Sequence, residues 1–364
     1  MSDLDLGATI RGFTAGQKLF QRYTLKKILG RGGMGVVWLA RDEELEREVA
    51  LKFLPELVAM DKEAIRDLKR ETRRSLELTH PHIVRIYDFI QDAHTAAISM
   101  EYVAGDTLAA RKVDHPLGHF EPAELEAWLK QALDALAYAH GKVGMVHRDL
   151  KPANLMIDAR GELKIADFGI AASVSDSASR VSAQTGSSGT PVYMSPQQMM
   201  GEKAAVTDDI YALGATLYEL LTGKPPFHSG NVMVQVQNKV PPAMTARRRE
   251  LGLATEPMPA NWEQLVAACL AKDPAQRPAT AGDVWAQLSG TAHAPVLIKP
   301  EVTSVPAKHG RPDLASVPSA MESGRDTRSS PTRKRWLLPV AALAAVVFGF
   351  GYYFGVHVPE VERR

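Results

Sequence analysis

Apolar and polar residues alternate along most of residues 23–54, where β-branched residues are also frequent. This spacing predicts strands on either side of a glycine-rich turn. The runs HIVRIYDFI (82–90) and TAAISMEYV (95–103) predict two more strands. Residues 61–78 instead show helical spacing, and His80-Pro81 would end that helix. We therefore expect a small lobe that is mostly sheet, with one helix.

After Gly105 the spacing becomes mainly helical. The segment NLMIDARGELKIAD (154–167) interrupts it and predicts a short hairpin. The segment DDIYALGATLYELLTG (208–223) is apolar on nearly every side, which is typical of a helix buried at the centre of a domain, and Gly223 suits its end. A larger helical lobe is therefore expected, with a functional site in the cleft between two unlike lobes.

The two ends of the chain differ from this globular part. Residues 1–22 lack the features of a secretory signal and are expected to be an N-terminal extension. Residues 291–335, rich in Pro, Ser and basic residues, predict a flexible linker. Residues 336–356 carry no charge and follow Arg333-Lys334-Arg335, which predicts one transmembrane helix of the cell (inner) membrane with the globular part in the cytoplasm. Residues 357–364 would then form a short extracytoplasmic tail, too short for a sensor domain.

Composition limits the classes of function. The 364 residues are 45% hydrophobic, enough to bury a large core, and 43 basic against 42 acidic residues give no overall field that would attract nucleic acid. The single cysteine, Cys269, excludes an intramolecular disulfide and suits a reducing compartment. Gly351 and Gly355 have the spacing that lets two membrane helices approach closely. A homodimer is one interpretation of that spacing, and the general abundance of glycine in such helices is the other.

The segment GRGGMGVV places Gly30, Gly32 and Gly35 in a G-x-G-x-x-G frame. A dinucleotide site would need a helix after these glycines, but VVWLARD continues as a strand. The glycines therefore join two strands, which suits a flap whose backbone N–H groups cover phosphates. An ordinary surface hairpin is the alternative.

Lys52 lies in the apolar strand VALKFL, where an ammonium group is costly to bury without a partner. Glu71 is the candidate partner, since it lies on the inward stripe of the predicted helix. Such a pair would hold the ammonium where it can meet phosphate oxygens. A purely structural ion pair is the alternative.

The segment MVHRDLKPANLMID (145–158) places Asp149 between Arg148 and Lys151 and ends in the predicted hairpin. Asn154 opens that hairpin and Asp167 closes it, so their side-chain oxygens are expected to meet. Such oxygens, together with substrate phosphates, are ligands that Mg²⁺ prefers. A solvated polar loop is the alternative for this segment taken alone.

These motifs together resemble those of the eukaryotic-like (Hanks-type) serine/threonine protein kinases of bacteria. The resemblance covers residues 23–288 and implies an α+β fold, the two-lobed protein kinase fold, with an N-lobe at 23–103 and a C-lobe at 104–290. It implies an enzyme that transfers the γ-phosphate of ATP to serine and threonine hydroxyls of proteins, and the predicted transmembrane helix would tether this enzyme to the membrane. The matching segments, in the family's order, are GRGGMG, VALK, Glu71, MEYV, HRDLKPAN, DFG, GTPVYMSP, Asp209 and DPAQRP.

The resemblance also implies roles for individual residues. Asp149 would accept or orient the proton of the attacking hydroxyl, and Lys151 would neutralise charge on the transferred group. Asn154 and Asp167 would hold Mg²⁺, with Mn²⁺ as an alternative ion, and Glu71 would fix Lys52 on the phosphates. Met100 would be the gatekeeper beside adenine, and Asp106 is a weaker candidate for the ribose. The ATP-binding residues implied are Gly30, Gly32, Gly35, Val37, Lys52, Glu101 and Val103.

The segment SVSDSASRVSAQTGSSGT (173–190) would form the activation loop. Arg148 beside the catalytic base is typical of kinases that are gated by phosphorylation of that loop, since a phosphate there could pair with its guanidinium. Ser182 and Thr185 are the candidate sites. A flexible polar loop without phosphorylation is the alternative.

One position departs from the family. Where the family usually has Ala-Pro-Glu, this chain reads SPQ, so that Gln197 replaces the acidic partner expected for Arg277. Gln197 could accept a hydrogen bond from Arg277 but could not neutralise its charge. A pseudokinase scaffold is therefore a second interpretation. A small-molecule kinase is the third and ranks last, because such enzymes usually lack the GTPVYMSP and DPAQRP segments.

Overall fold

The computed structural model describes residues 12–32, 35–169, 191–253 and 257–291. The candidate phosphorylation sites Ser182 and Thr185 lie outside these residues, as do the predicted transmembrane helix at 336–356, the tail and nearly all of the linker. Within the described part of the chain, no helix is both long enough and apolar enough to cross a membrane.

An antiparallel sheet forms the N-lobe, with its six strands in the order β1-β2-β3-β4-β6-β5. The central strands are apolar on both faces, because one face packs around Trp38 and Leu51 and the other around Ala50 and Ile98. This burial explains the β-branched, alternating sequence of residues 23–54. The strands are β1 (Lys18–Leu19), β2 (Tyr23–Gly32), β3 (Gly35–Asp42), β4 (Arg47–Phe53), β5 (Ile86–Gln91) and β6 (Ala96–Glu101).

Two helices follow β4, where one was predicted. The first, α1 (Glu56–Met60), is a short helix that begins after Pro55. The second, α2 (Lys62–Ser75), is the predicted helix, and the Asp61 carboxylate begins it by accepting hydrogen bonds from two backbone N–H groups at 2.9 and 2.7 Å. The prediction of a single helix was wrong because a helix of five residues is too short to show a periodic pattern.

The C-lobe is mainly helical, as predicted. Its central helix is buried along the whole stretch from Asp208 to Thr222, and Gly223 ends it in the left-handed conformation (φ 77°). The other helices surround it. The helices are α3 (Leu108–Asp114), α4 (Pro122–Tyr138), α5 (Pro196–Met199), α6 (Val206–Thr222), α7 (Val232–Asn238), α8 (Met244–Glu250), α9 (Ala260–Cys269) and α10 (Ala281–Ser289).

The predicted hairpin is present and joins the two lobes. It consists of β8 (Leu155–Asp158) and β9 (Leu163–Ile165), and β7 (Gly105–Thr107) adds a third strand. The Val84 N–H donates to the Ile165 carbonyl at 2.9 Å, and Lys164 Nζ lies 3.0 Å from Glu101 Oε1 at the end of β6. Both ends of the hairpin therefore lie at the junction of the lobes.

Candidate active site

Asp149 lies in the loop between α4 and β8, where two side chains hold its carboxylate and backbone. Lys151 Nζ is 2.7 Å from Asp149 Oδ2, and Asn154 Nδ2 donates to the Asp149 carbonyl at 2.7 Å and to Oδ2 at 3.1 Å. The Asp149 side chain is 13% exposed, so it still faces the cleft. The structure thus brings together three of the predicted residues around one carboxylate.

His147 fixes the same loop from the other side. Its Nε2–H donates to the Ala166 carbonyl at 2.8 Å, so its Nδ1 is free to accept the Asp149 N–H at 3.2 Å. The ring also packs edge-on against Phe168, with centroids 4.6 Å apart. His147 therefore links the loop that carries Asp149 to the segment that carries Asp167, a link that sequence reasoning did not predict.

Asp209 anchors the loop to the buried helix α6. Its carboxylate accepts the backbone N–H groups of His147 at 2.7 Å and Arg148 at 2.9 Å, and the ring of His140 at 2.7 Å. Arg148 has a positive φ of 72°, an uncommon backbone conformation for a residue with a Cβ. Three hydrogen bonds to a fully buried carboxylate hold the loop in this conformation.

Asn154 and Asp167 suit a hard cation. Asn154 uses its Nδ2 on Asp149, which leaves Oδ1 as the atom it can offer, and the Ala166 N–H donates to the Asn154 carbonyl at 2.8 Å, so Asp167 follows directly beside it. Lys52 Nζ lies 2.7 Å from Asp167 Oδ2, so Oδ1 is the oxygen that Asp167 can offer to a cation. Two oxygen ligands from the protein, completed by phosphates and water, fit the way Mg²⁺ is usually bound.

Lys52 pairs with Asp167, and the predicted ion pair between Lys52 and Glu71 is not formed. Lys52 Nζ lies 2.7 Å from Asp167 Oδ2, and the Lys52 side chain is only 5% exposed. Glu71 instead lies 3.8 Å from Arg74 on its own helix. The Glu71 carboxylate also packs so closely against Gly169 (φ 68°) that a Cβ at Gly169 would come 2.8 Å from its Oε1. The expectation failed because Asp167 occupies the position next to the ammonium that Glu71 was expected to fill.

The charge of Lys52 also sets the protonation of Asp167. Burial alone would raise the pKa of Asp167, but the charge and hydrogen bond of Lys52, together with the charge of Lys151, hold that pKa below its ordinary value. Asp167 is therefore ionised at neutral pH, as a cation ligand requires.

The glycine frame lies at the turn between β2 and β3. Gly30 pairs with Val37 and Gly32 with Gly35 across the antiparallel ladder, so the frame joins two strands as predicted. Gly35 is the position that needs glycine, because its φ is 115° and a Cβ there would come 1.9 Å from the Phe53 carbonyl oxygen. The N-terminal end of β3 can therefore lie directly against β4, which carries Lys52.

An apolar cluster lies on the face of the N-lobe sheet that carries Val37. Val37, one of the predicted residues, packs in the same cluster as two buried residues at the end of β6, Met100 and Val103. Glu101 N–H donates to the Arg85 carbonyl at 2.8 Å, and Asp106 is exposed on β7. Sequence reasoning missed three further members, because an ordinary apolar residue in or beside a strand gives no functional signal of its own. The missed members are Ala50, Met156 and Ala166.

Gln197 is accommodated by its surroundings. Its Oε1 accepts a hydrogen bond from Arg277 Nη2 at 2.6 Å, and its Nε2 donates to the Lys272 carbonyl at 3.0 Å. The Arg277 guanidinium also donates to the carbonyls of Ala271 and Thr207 at 2.7 and 2.9 Å. A carboxylate of α6, that of Asp208, lies 4.0 Å away. The buried cation therefore donates four hydrogen bonds, one of them to the Lys272 carbonyl at 3.0 Å, and has one nearby anion.

A second buried network holds the segment that precedes α5. Tyr193 donates its hydroxyl proton to Glu219 of α6, which also pairs with Lys112 of α3. Burial and the Glu219 charge raise the pKa of Tyr193 far above its ordinary value, so this hydroxyl stays a donor. Ser195 likewise donates to Asp208 at 2.6 Å. The sequence flagged GTPVYMSP as a motif but did not show which helix it would bind.

Comparisons with known proteins agree with this geometry. The sequence model described as the protein kinase domain matches residues 23–287. Serine/threonine-protein kinase PknB of Mycolicibacterium smegmatis is 37% identical over 375 residues, a match that covers 96% of this chain and 59% of that protein. Serine/threonine-protein kinase PrkC of Bacillus subtilis is 35% identical over 337 residues, which cover 88% of this chain and 50% of that protein. The chain thus spans between half and three-fifths of the length of these two relatives.

Solved structures give the same result for the fold. The crystal structure of the Mycobacterium tuberculosis PknI kinase domain superposes with a TM-score of 0.60 at 27% sequence identity. That match covers 77% of this chain and 100% of the solved one. The likeness therefore extends over both lobes.

Proposed function

The chain belongs to the protein kinase domain family, and from this we propose that it is a serine/threonine protein kinase that transfers the γ-phosphate of ATP to hydroxyl groups of protein substrates. The observation that carries the proposal is the setting of Asp149. Its carboxylate faces the cleft, with Lys151 Nζ 2.7 Å away and Asn154 holding it from below. Two observations support proteins as substrates and serine and threonine as the acceptor residues. They are the names of the two relatives and the HRDLKPAN and GTPVYMSP segments.

In the proposed reaction, a substrate hydroxyl lies against Asp149, which orients it and takes up its proton. The hydroxyl oxygen forms the new bond to the γ-phosphorus while the bond from that phosphorus to the bridging oxygen of ADP breaks. Lys151 stabilises the negative charge on the transferred group. Bound Mg²⁺, for which Mn²⁺ is an alternative, supplies charge neutralisation of the phosphates, and Asn154 and Asp167 would hold it. The protein's contribution is mainly position and charge, since the transfer needs little covalent help.

The proposed ATP site combines the apolar cluster and the glycine hairpin. The cluster that contains Val37 and Val103 offers apolar surface to a flat purine ring, whose edge would meet the backbone of Glu101 and Val103. Gly30, Gly32 and Gly35 would cover the phosphates with backbone N–H groups, and Lys52 would meet their oxygens. Glu71 would then replace Asp167 as the partner of Lys52, so we propose that ATP binding and activation move α2 or the Glu71 side chain toward the ammonium.

The test uses the full chain, reconstituted in lipid nanodiscs, with labelled ATP and Mg²⁺. Label should enter serine and threonine of the chain or of a general protein substrate, and the variant Asp149→Asn should incorporate none. Absence of label from the unchanged chain, while ATP still binds, would overturn the catalytic proposal and favour a scaffold that binds nucleotide.

The scaffold interpretation rested on Gln197. Since Arg277 is hydrogen-bonded by Gln197 Oε1 at 2.6 Å and lies 4.0 Å from Asp208, the substitution leaves no unsatisfied cation at this position. The residues expected to perform the transfer are all present. We therefore favour the active enzyme.

We further propose that the kinase is attached to the cell membrane by one helix at 336–356, with the kinase domain in the cytoplasm. The uncharged 336–356 segment and the preceding Arg333-Lys334-Arg335 support this. Extraction of isolated membranes with carbonate should leave the chain in the pellet, and protease added to intact spheroplasts should spare the kinase domain. Release by carbonate would contradict the attachment.

Regulation is proposed to act through autophosphorylation of the activation loop at Ser182 and Thr185, with homodimers formed through Gly351 and Gly355 favouring transfer between copies. The GTPVYMSP and Arg148 motifs support the first part, and the spacing of the two glycines supports the second. Mass spectrometry of the chain after incubation with ATP should find phosphate at these hydroxyls. Its appearance in an Asp149→Asn chain mixed with unchanged chain would show that transfer occurs between copies.

A further inference from the structure

The exposed side of α2 carries a continuous row of positive charge. Its fourteen residues, KEAIRDLKRETRRS, include six basic and three acidic ones. Five of the basic residues recur at the spacing of a single helix face, and all five are exposed. These five residues, called here the α2 basic face, are Lys62, Arg66, Lys69, Arg70 and Arg73.

Most side chains on α2 are separated by kind around the helix axis, but Arg74 lies within the acidic row and pairs with Glu71 at 3.8 Å. The buried residues, among them Ile65 and Leu68, face the sheet. The acidic residues Glu63, Asp67 and Glu71 recur every fourth position and form a separate row on the flank. One of them, Asp67, pairs with Arg70 at 3.1 Å. The basic face itself therefore presents one sign of charge along about 17 Å of helix.

Large apolar side chains lie exposed just before and just after α2. Met60, just before α2, is 65% exposed, and Leu76, just after it, is 42% exposed. Leu76 continues the helical spacing on the edge of the basic face, one turn beyond Arg73. A row of cations flanked by exposed apolar side chains is typical of protein surfaces that bind at the interface of a lipid bilayer. A single phosphate group, by contrast, would need convergent donors in a concave site, whereas these cations are spread along a convex helix.

We propose that the α2 basic face, with Met60 and Leu76, docks on the headgroups of an anionic phospholipid surface. This inference rests on the proposed membrane attachment only for bringing the kinase domain near a bilayer. Lysine and arginine side chains are drawn to the anionic leaflet, and the two apolar side chains enter the acyl boundary. Because α2 also carries Glu71, lipid bound here acts on the element that positions this carboxylate relative to Lys52.

The experiment follows the distance of α2 from the bilayer in the full chain. Glu77 is exposed just beyond α2, so Glu77→Cys provides a labelling site. Burial raises the pKa of the native Cys269 thiol to about 12, so a thiol-directed fluorophore selects position 77. Energy transfer to a headgroup-labelled lipid is measured in nanodiscs of phosphatidylcholine alone and of phosphatidylcholine mixed with phosphatidylglycerol. Co-purification of the chain with phosphatidylcholine nanodiscs tests the membrane attachment by itself. Docking of the α2 basic face is measured separately, as the difference in energy transfer between the two lipid compositions.

We expect higher energy transfer in the anionic nanodiscs. Replacing three cations (R66Q, R70Q and R73Q together) should weaken docking by a factor of roughly 100, since each basic residue near an anionic leaflet strengthens binding about fivefold. The matched control replaces three exposed lysines of the C-lobe, K203Q, K224Q and K239Q together, and should keep the signal. The pair M60Q and L76Q should lower it as well.

Equal energy transfer in the two lipids would overturn the proposal. So would an equal loss in the C-lobe control, because the effect would then come from net charge alone. Binding of a soluble phosphopeptide that requires the α2 basic face, without any response to anionic lipid, would assign the face to a protein partner and overturn it too.

Discussion

Arg277 and Gln197 meet through a 2.6 Å hydrogen bond from Nη2 to Oε1, in a place where the family usually has an ion pair. The Gln197 amide does two things at once, since its Nε2 also donates to the Lys272 carbonyl at 3.0 Å. A glutamate could accept from Arg277 but could not donate to that carbonyl. The amide therefore suits a site where backbone carbonyls already surround the guanidinium.

Gln197→Ala should lower the free energy of unfolding by about 1–3 kcal/mol, because it removes an acceptor from a buried cation. Gln197→Glu should change it by less than about 1 kcal/mol, since the gained charge pair is offset by desolvation and by the lost donation to Lys272. Urea unfolding of the two variants beside the unchanged chain measures both. Stabilisation by several kcal/mol in Gln197→Glu would show that Arg277 lacks compensation in this chain.

Lys272, next to this site, leads to a prediction of how the free energy of unfolding depends on pH. Burial and the charge of Arg277 lower the pKa of Lys272 to about 8 from its ordinary 10.5. Between these values the unfolded chain binds the proton and the folded chain does not, so the free energy of unfolding rises with pH across this window. Below about pH 8 the full cost of burying the cation is present.

Lys272→Met removes that cost, and with it the contacts of the ammonium with the Phe227 and Tyr211 rings, 4.9 and 5.5 Å from the ring centroids. At pH 7 the variant should be more stable by about 1–2 kcal/mol, a figure discounted because Lys272 is only half-buried. The difference should shrink as pH rises from 8 to 10. Urea unfolding at pH 7 and 9.5 measures it, with the exposed Lys203→Met as control. A difference that is the same at both pH values would contradict the lowered pKa.

Much of the fold could be predicted because burial patterns are local. The hairpin 154–167 and the buried helix that contains Asp209 were both visible as spacing, and both fix the site. The partner of Lys52 was not predictable in the same way. Periodicity places Glu71 on the inward side of α2, but whether Glu71 or Asp167 reaches the ammonium depends on a few ångströms of tertiary position. In the structure Asp167 Oδ2 lies 2.7 Å from Lys52 Nζ and forms the ion pair.

The apolar cluster around Val37 and the hydrogen bonds of His147 show a second limit of prediction from the sequence. Ala50 and Met156 look like any core residue, since their role comes from the lobe that packs opposite. His147 was part of a recognised motif, yet its two hydrogen bonds, to the Ala166 carbonyl and from the Asp149 N–H, depend on a chain reversal that no local pattern encodes.

The glycine hairpin provides a matched pair of substitutions. Gly35→Ala should lower the free energy of unfolding by about 1–3 kcal/mol, because φ is 115° and the new Cβ would meet the Phe53 carbonyl oxygen at 1.9 Å. Gly32→Ala should change it by less than about 0.5 kcal/mol, since no described atom lies within 4 Å of the Cβ position and φ is not positive. Thermal or urea unfolding compares the two, and equal losses would contradict this assignment.

Asp209 provides the sharpest test of how the loop is held. Asp209→Asn replaces one acceptor oxygen by an NH₂ group that faces N–H donors of His147, Arg148 or His140, so at least one hydrogen bond becomes a repulsion. The positive φ of Arg148 then loses its restraint and Asp149 moves. We expect the rate of phosphoryl transfer to fall by roughly 100-fold or more and the free energy of unfolding by about 3 kcal/mol.

Asp158→Asn is the control, because Asp158 also accepts two backbone N–H groups, of Arg160 and Glu162 at 2.8 and 3.0 Å, in the turn after β8. That variant should keep its rate once the folded fraction is matched, whereas an equal loss of rate in both would show that the anchor to α6 is not what positions Asp149.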